Sequence, residues 1–183
     1  PPKWLVALVA IIILLYGVGA VVVRINQIRQ LREWTSYTAA QGRLPSDAVN
    51  ALALDAEGRV WVGTQAGLAI HAGDGVTSLQ TADSPLPSDQ ITALELDAEE
   101  RMWIGTEMGV AVVEGGNWST FTADDMGLPT TAVLALTAGP GGSMWVGTRS
   151  GTAMWTGSEW RAFSPQDGGL TSDTVLAVAM AQM

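Results

Sequence analysis

A period of 42 residues runs through most of this chain and limits its fold more than any other feature of the sequence. Tryptophans, glycines and prolines recur at that spacing without an insertion or deletion over three copies. A period of about 20–50 residues indicates a repeat architecture, in which each unit buries an apolar face against the next. The recurring residues are Trp61, Trp103 and Trp145; Gly63, Gly105 and Gly147; Gly67, Gly109 and Gly151; and Pro45, Pro87 and Pro129.

Each copy contains four short β-prone runs separated by turns. In the first copy these runs are 49–54, 60–63, 68–71 and 76–80, and the turns between them are rich in glycine and acidic residues. Runs and turns of this length predict antiparallel hairpins. Four-stranded units of about 40–50 residues are typical of β-propeller blades. We expect the repeated tryptophans to fill the wedges between blades, and the glycines to permit positive φ or close backbone approach.

The sequence therefore predicts an all-β partial propeller over residues 34–183. Its repeats fall at about 34–75, 76–117 and 118–159, with an incomplete one at 160–183. Residues 34–38 are predicted to form an outer strand, and residues 174–180 to begin a further blade. Propellers close with about 4–8 blades, so roughly three and a half blades do not close a typical ring. Either the chain is a fragment of a longer protein, or separate chains complete a ring together.

An apolar segment precedes the repeats. Residues 4–23 carry no charge and are bounded by Lys3 and Arg24, with a short flank at 1–3. About 20 apolar helical residues cross a bilayer, so we predict one transmembrane helix at 4–23. A cleaved signal peptide is the alternative, although its apolar stretch is normally shorter, about 7–15 residues. Residues 24–33 carry apolar side chains at a spacing of three, which predicts a helical linker that rests on the bilayer or the propeller, or bundles with another helix.

Charge is distributed unevenly along the chain. Residues 1–33 hold 4 basic residues against Glu33 alone, a net +3, whereas the remainder holds 5 Arg against 17 Asp and Glu, a net −12. So acidic a domain repels phosphate backbones, which argues against nucleic acid as a partner. The basic residues after the apolar segment favour contact with membrane lipid. Counted alone, they would place the propeller in the cytoplasm, although long domains translocate largely regardless of charge.

The sequence offers no catalytic or metal-binding constellation. It has no cysteine, no nucleophile or phosphate-loop motif, and one histidine, His71, for which no partner is recognisable. Asp124 and Asp125 precede Gly127 but lack the spacing of a calcium loop, so they make only a weak cation site. We expect no catalytic residue, no metal and no cofactor, and the chain is predicted not to be an enzyme.

The repeat itself resembles a known family. Leu-Pro, an Asp, a hydrophobic strand, a second Asp, Gly and Trp-Val-Gly-Thr follow one another as they do in the two-component-regulator propeller repeat. That repeat is abundant in extracytoplasmic sensor regions of bacterial hybrid histidine kinases. The resemblance implies that ligands bind on the propeller face formed by the turn after Trp-Val-Gly-Thr and the loops between blades. The residues that follow the Thr differ between copies and are the candidate ligand-binding residues: Gln65, Glu107 and Arg149.

Two functions are compatible with this sequence. The first is a membrane-anchored recognition module, sensor-like, whose propeller binds a small ligand or a protein partner. The second is an accessory subunit of a larger membrane complex, which docks through its helix and propeller surface. The resemblance implies a single-pass protein of the bacterial cytoplasmic membrane with an extracytoplasmic propeller. In sensors of the family the propeller usually precedes the span, whereas here the span comes first, so a kinase role transfers less well.

Overall fold

Twelve strands form the framework of residues 35–180, the part of the chain that the computed structural model describes. They build three antiparallel sheets of four strands each, and the order of strands in each sheet follows the sequence. The first sheet contains β1 Val49–Leu54, β2 Val60–Thr64, β3 Gly67–Ala72 and β4 Gly75–Leu79. The second contains β5 Ile91–Leu96, β6 Met102–Thr106, β7 Gly109–Glu114 and β8 Asn117–Phe121. The third contains β9 Val133–Ala138, β10 Met144–Thr148, β11 Gly151–Trp155 and β12 Trp160–Phe163.

These sheets are successive propeller blades, as the repeat predicts. The first strands of the three blades, β1, β5 and β9, lie side by side, and the fourth strands lie outermost. Side chains join the inner strands across the blade boundaries: Asn50 Nδ2 donates to the Ile91 carbonyl at 2.8 Å, and Glu95 Oε1 accepts from the Ala138 amide at 3.2 Å. The predicted all-β propeller architecture is confirmed, and the observed strand limits of the first blade lie within one residue of the predicted ones.

A short turn follows each outer-strand position at the same 42-residue spacing. The turns are 3-10 helices at Ala39–Gln41 and Pro165–Asp167, a turn at 81–83 and the short helix α1 at Ala123–Met126. In each, the residue before the turn donates its amide to a side chain three residues on. Asp125 accepts from the Thr122 amide in this way at 2.7 Å. Asp125 therefore has a capping role in the fold, which explains its position without a cation.

The repeated tryptophans fill the wedges between blades. Trp61 is 3% exposed and packs in one apolar cluster with Met102 and Ile104 of the second blade. Trp103, 1% exposed, packs in the same way with Met144 of the third. The second and third blades are therefore each covered by the indole of the blade before them, and the two largest apolar clusters span the boundaries between blades.

The first blade lacks such a cover among residues 35–180, and its outward face is exposed. Leu52 and Val60 are 64% and 36% exposed, whereas their counterparts in the second blade, Leu94 and Met102, are 8% and 2% exposed. The side chains are of the same apolar kind, so the difference comes from the absence of a preceding blade among residues 35–180. The exposed face is therefore a blade interface that the described residues leave open.

The strands predicted at the two ends of the array are not observed. Residues 35–38 and 174–180 have no strand partner in the described part of the chain. Nevertheless, Val175 occupies the inner-strand position, because its amide donates to the Thr148 carbonyl at 2.8 Å and its side chain lies against Gly147. A β-strand is defined by its ladder, and an extended segment without a neighbouring strand has none.

The predicted transmembrane helix at 4–23 and linker at 24–33, together with Trp34, lie outside the described residues. Within residues 35–180, no helix is both long enough and apolar enough for a membrane crossing.

Close packing of neighbouring blades predicts that Gly105→Ala destabilises the protein. A Cβ at this position would lie 2.6 Å from Cγ1 of Val133, which is fully buried in the next blade. Overpacking of this kind costs about 1–3 kcal/mol of unfolding free energy, measurable by urea denaturation. The double variant Gly105→Ala/Val133→Ala should lose less than the sum of the single losses. Gly169→Ala, which meets no atom within 4 Å, is the matched control; a loss as large as that of Gly105→Ala would contradict this reason.

Candidate ligand-binding cleft

The turn between the second and third strands of each blade is built by the Gly-Thr pair and by a glycine three residues after the Thr. In the second blade, Thr106 Oγ1 donates to the Gly109 carbonyl at 2.9 Å and accepts from the Met108 amide at 3.1 Å. Gly109 has φ +137°, a conformation that residues with a Cβ rarely adopt. The threonine is fully buried, so the residue after it, Glu107, is held at an exposed corner. The first and third blades repeat this turn with the same hydrogen bonds.

The three candidate residues from the sequence occupy this corner in successive blades. Gln65, Glu107 and Arg149 are all exposed, and all three line one open cleft of about 470 Å³. The cleft lies where the second-to-third strand turns meet the starts of the inner strands. Its volume is within the range of about 300–1,000 Å³ that is typical of small-molecule sites. The remaining lining residues are Val49, Asn50, Gln90, Thr92, Ala132, Val133 and Leu134.

Hydrogen bonds hold the corner of the second blade in place. Glu107 Oε1 accepts from Gln90 Nε2 at 2.9 Å, and the Glu107 carbonyl accepts from Thr131 Oγ1 at 3.3 Å. The Arg149 carbonyl likewise accepts from Thr174 Oγ1 at 3.3 Å. The turns of the second and third blades are thus tied to the connections that follow them, so the Glu107 and Arg149 side chains project from anchored backbone. No sequence motif indicated Gln90 or Asn50, which the inner-strand starts bring into the cleft.

The opposite ends of the strands carry a buried Asp–Arg–Trp cluster that sequence reasoning did not find. Asp97, whose side chain is fully buried, accepts from Arg101 Nε at 2.7 Å and from Trp103 Nε1 at 2.7 Å. Its other oxygen accepts from the Glu99 and Arg101 amides at 3.0 and 2.9 Å. This cluster fixes the hairpin between the first two strands and orients the indole for the wedge. It has a structural role and lies away from the cleft.

The first blade repeats the cluster in a more exposed form. Asp55 accepts from Trp61 Nε1 at 2.6 Å and from the Arg59 side chain and amide. Burial raises the pKa of Asp55, but the hydrogen bonds from Trp61 and Arg59 outweigh it and hold that pKa below its ordinary value. The carboxylate is therefore ionised at neutral pH. The third blade has Gly139 and Ser143 at these positions and lacks the cluster.

The one histidine and the acidic residues form no metal-binding group in residues 35–180. No group of three or more His, Cys, Asp or Glu in that part of the chain is placed to hold a metal ion. His71 lies in β3, where its ring meets Tyr37 edge-on with ring centroids 4.9 Å apart, and its buried Nε2 has no hydrogen-bond partner.

Two segments of the chain match a known protein family. Residues 43–66 and 85–108 match the family model described as "Two component regulator propeller". Both segments run from the connection before a blade to the turn that carries Gln65 or Glu107. The first two repeats of the chain thus match the two-component-regulator propeller repeat, in agreement with the resemblance of the sequence. No curated protein sequence matches the chain.

Two solved structures share the fold of this chain. The extracellular domain of the hybrid two component system BT3049 from B. thetaiotaomicron has a TM-score of 0.69 at 19% identity, over 79% of this chain and 20% of that one. Virginiamycin B lyase from Staphylococcus aureus gives 0.53 at 17% identity, over 64% of this chain and 41% of the lyase. The chain thus spans about a fifth to two fifths of these proteins. At such identities the likeness shows the shared fold.

Proposed function

We propose that the propeller is the recognition domain of a membrane-anchored, non-catalytic sensor-like protein, and that it binds its ligand in the cleft lined by Gln65, Glu107 and Arg149. One observation carries the proposal. Three successive blades place an amide, a carboxylate and a guanidinium at the same position of an otherwise regular repeat, around a single cleft. The scaffold positions keep their residue types, whereas these corners differ in a way that suits recognition.

Location in the cell follows from the same proposal. The apolar segment at 4–23 supports a membrane anchor, and the matched propeller of BT3049 is an extracellular domain, which supports an extracytoplasmic propeller. The net charge of −12 over residues 34–183 supports a ligand other than nucleic acid. Virginiamycin B lyase is an enzyme on a similar fold, but fold alone does not transfer activity.

A thermal-shift experiment tests the recognition role. The complete 183-residue chain in mild detergent is heated with probes from four classes: amino acids and short peptides, uronic acids, neutral sugars and polyamines. A probe at 100 times its dissociation constant stabilises the native state by about 2.7 kcal/mol, which raises the melting temperature by several degrees.

The control variants locate the binding site in this experiment. The cleft variant Gln65→Ala/Glu107→Ala/Arg149→Ala should lose the thermal shift of any probe that binds there. The control variant Glu159→Gln/Arg161→Gln changes an exposed ion pair of the third blade and should keep that shift. If no probe distinguishes the cleft variant from the wild type, recognition at this cleft is wrong.

The exposed face of the first blade favours a second candidate function. Leu52 and Leu54 are 64% and 62% exposed on a surface whose equivalents in the second and third blades are buried or half-buried. Such a surface suits an accessory subunit that docks on a larger complex, with the propeller as its contact. Copurification of the detergent-solubilised chain with a stable partner, lost in Leu52→Glu, would support this function over the sensor-like one.

A further inference from the structure

Arg149 is the one arginine of residues 35–180 whose side chain neither pairs with a carboxylate nor donates a hydrogen bond to a described residue. This part of the chain contains five arginines and no lysine. Arg59, Arg101 and Arg161 form ion pairs with carboxylates, and Arg43 donates to the Asp74 carbonyl at 2.9 Å. The Arg149 side chain makes neither kind of contact with any described residue. A guanidinium left free at the edge of a cleft is suited to a carboxylate, which it binds with two parallel hydrogen bonds.

Glu107 provides the opposite charge at the equivalent corner of the neighbouring blade. Its Oε1 is held by Gln90, while its other carboxylate oxygen has no hydrogen-bond donor among the described residues. Glu107 and Arg149 line the same cleft but form no ion pair with each other. A carboxylate and a guanidinium that are held apart across a cleft can be satisfied together by a ligand that carries both charges.

The negative charge of the domain disfavours ligands that carry a net negative charge. The domain is strongly acidic, so a ligand with a net negative charge is repelled as it approaches. A molecule with no net charge escapes this repulsion and still offers a carboxylate to Arg149. The anchored backbone of both corners fixes the positions from which the two charged side chains enter the cleft, which favours a ligand whose own charges they can reach together.

We infer that the cleft binds a small zwitterion, an amino acid or a short peptide, with its carboxylate on Arg149 and its ammonium group on Glu107. This inference rests on the proposed recognition function and names the ligand class. The Gln65 side-chain amide and the side-chain carbonyl oxygens of Asn50 and Gln90 have no described hydrogen-bond partner and can bind the peptide backbone of such a ligand, and Leu134 offers it an apolar wall.

The test uses glycine, diglycine and triglycine as probes with increasing separation of the two charges. Isothermal titration of the complete chain in mild detergent should show binding that is strongest for one of the three lengths. Two matched probes each lack one charge: the N-acetylated form of the best binder has no ammonium group, and its C-terminal amide has no carboxylate. Each should bind at least tenfold more weakly than the zwitterion, because each leaves one charged side chain without its partner.

Two single variants assign the charges. Arg149→Gln should abolish the preference for the zwitterion over the C-terminal amide, and Glu107→Gln should abolish the preference over the N-acetylated form. Arg161→Gln and Glu159→Gln, an exposed pair on the outer strand side of the third blade, should leave both preferences unchanged.

The outcomes separate this inference from the recognition function. If a uronic acid or a neutral sugar binds and the cleft variant loses it, recognition at the cleft stands and the zwitterion assignment is wrong. Equal binding of the zwitterion and its two blocked forms would overturn the assignment as well. If the cleft variant changes the binding of no probe, the recognition function itself is wrong.

Discussion

Replacing Asp97 with alanine is expected to lower the free energy of unfolding by about 3–5 kcal/mol, because the change removes one partner of a buried ion pair. The Asp97 side chain is fully buried and accepts four hydrogen bonds. Without it, Arg101 Nε and the buried Trp103 indole N–H lose their acceptor. Arg101 keeps its bonds to Glu99 and to the Gly142 carbonyl. The indole N–H is buried in the interface between blades, so the penalty of unsatisfied burial applies to it. Urea denaturation of the complete chain, followed by circular dichroism, measures the loss.

The first blade supplies the matched control for Asp97. Asp55→Ala removes the same hydrogen bonds to an arginine and a tryptophan, but the Arg59 side chain is 43% exposed and can be solvated by water after the change. We expect a smaller loss, about 1–3 kcal/mol. Equal losses for the two variants would show that burial does not set the cost. The third blade, which has Gly139 at this position, shows that a blade of this kind also forms without the carboxylate.

Much of the fold could be predicted because the repeat gives each observation three times. A single run such as 49–54 is ambiguous, but its recurrence between the same turn residues at a 42-residue spacing predicts a strand in a four-stranded unit. The structure places β1 at Val49–Leu54, as predicted. The predictions of strands at the two end segments were wrong for the opposite reason. Residues 35–38 and 174–180 have the right composition, but a strand also requires a paired neighbour, which composition does not report.

The Asp–Arg–Trp cluster could have been found from differences between the copies. Asp and Arg stand four residues apart before the tryptophan in the first two copies, and the third copy loses both together, with Gly139 and Ser143 in their places. Joint loss of two oppositely charged residues indicates that they pair. The side-chain burial that makes the pair important in the second blade depends on the neighbouring blade, and the sequence of one repeat does not contain it.

The candidate cleft could be predicted in part. The repeat places Gln65, Glu107 and Arg149 on one face, because equivalent turns of successive blades lie at the same ends of their strands. These three residues line one cleft only because neighbouring blades approach closely. The close approach of Val133 to Gly105 is one contact that permits this. The contributions of Gln90 and Asn50 depend on the bend at the start of each inner strand, where the register shifts by one residue. Local sequence does not determine that geometry.

Trp103→Ala is expected to cost about 3–5 kcal/mol of unfolding free energy, the usual range for the loss of a buried aromatic side chain. The Trp103 side chain, 1% exposed, packs against Met144 and Val146 of the third blade and lies edge-on to Trp160, with ring centroids 6.0 Å apart. Its removal leaves a cavity at the centre of a blade interface, which anchored strands on both sides cannot close.

Trp145→Ala is the natural comparison for Trp103→Ala, because it removes the same side chain at the same position of the next repeat. Trp145 is only half-buried, and no Asp stands where Asp97 accepts the Trp103 N–H. We therefore expect a loss that is smaller by at least about 1 kcal/mol. Urea denaturation followed by circular dichroism measures both variants without relying on tryptophan fluorescence. Equal losses would mean that the indole stabilises its own blade rather than the interface, and that the wedge between blades does not hold the array together.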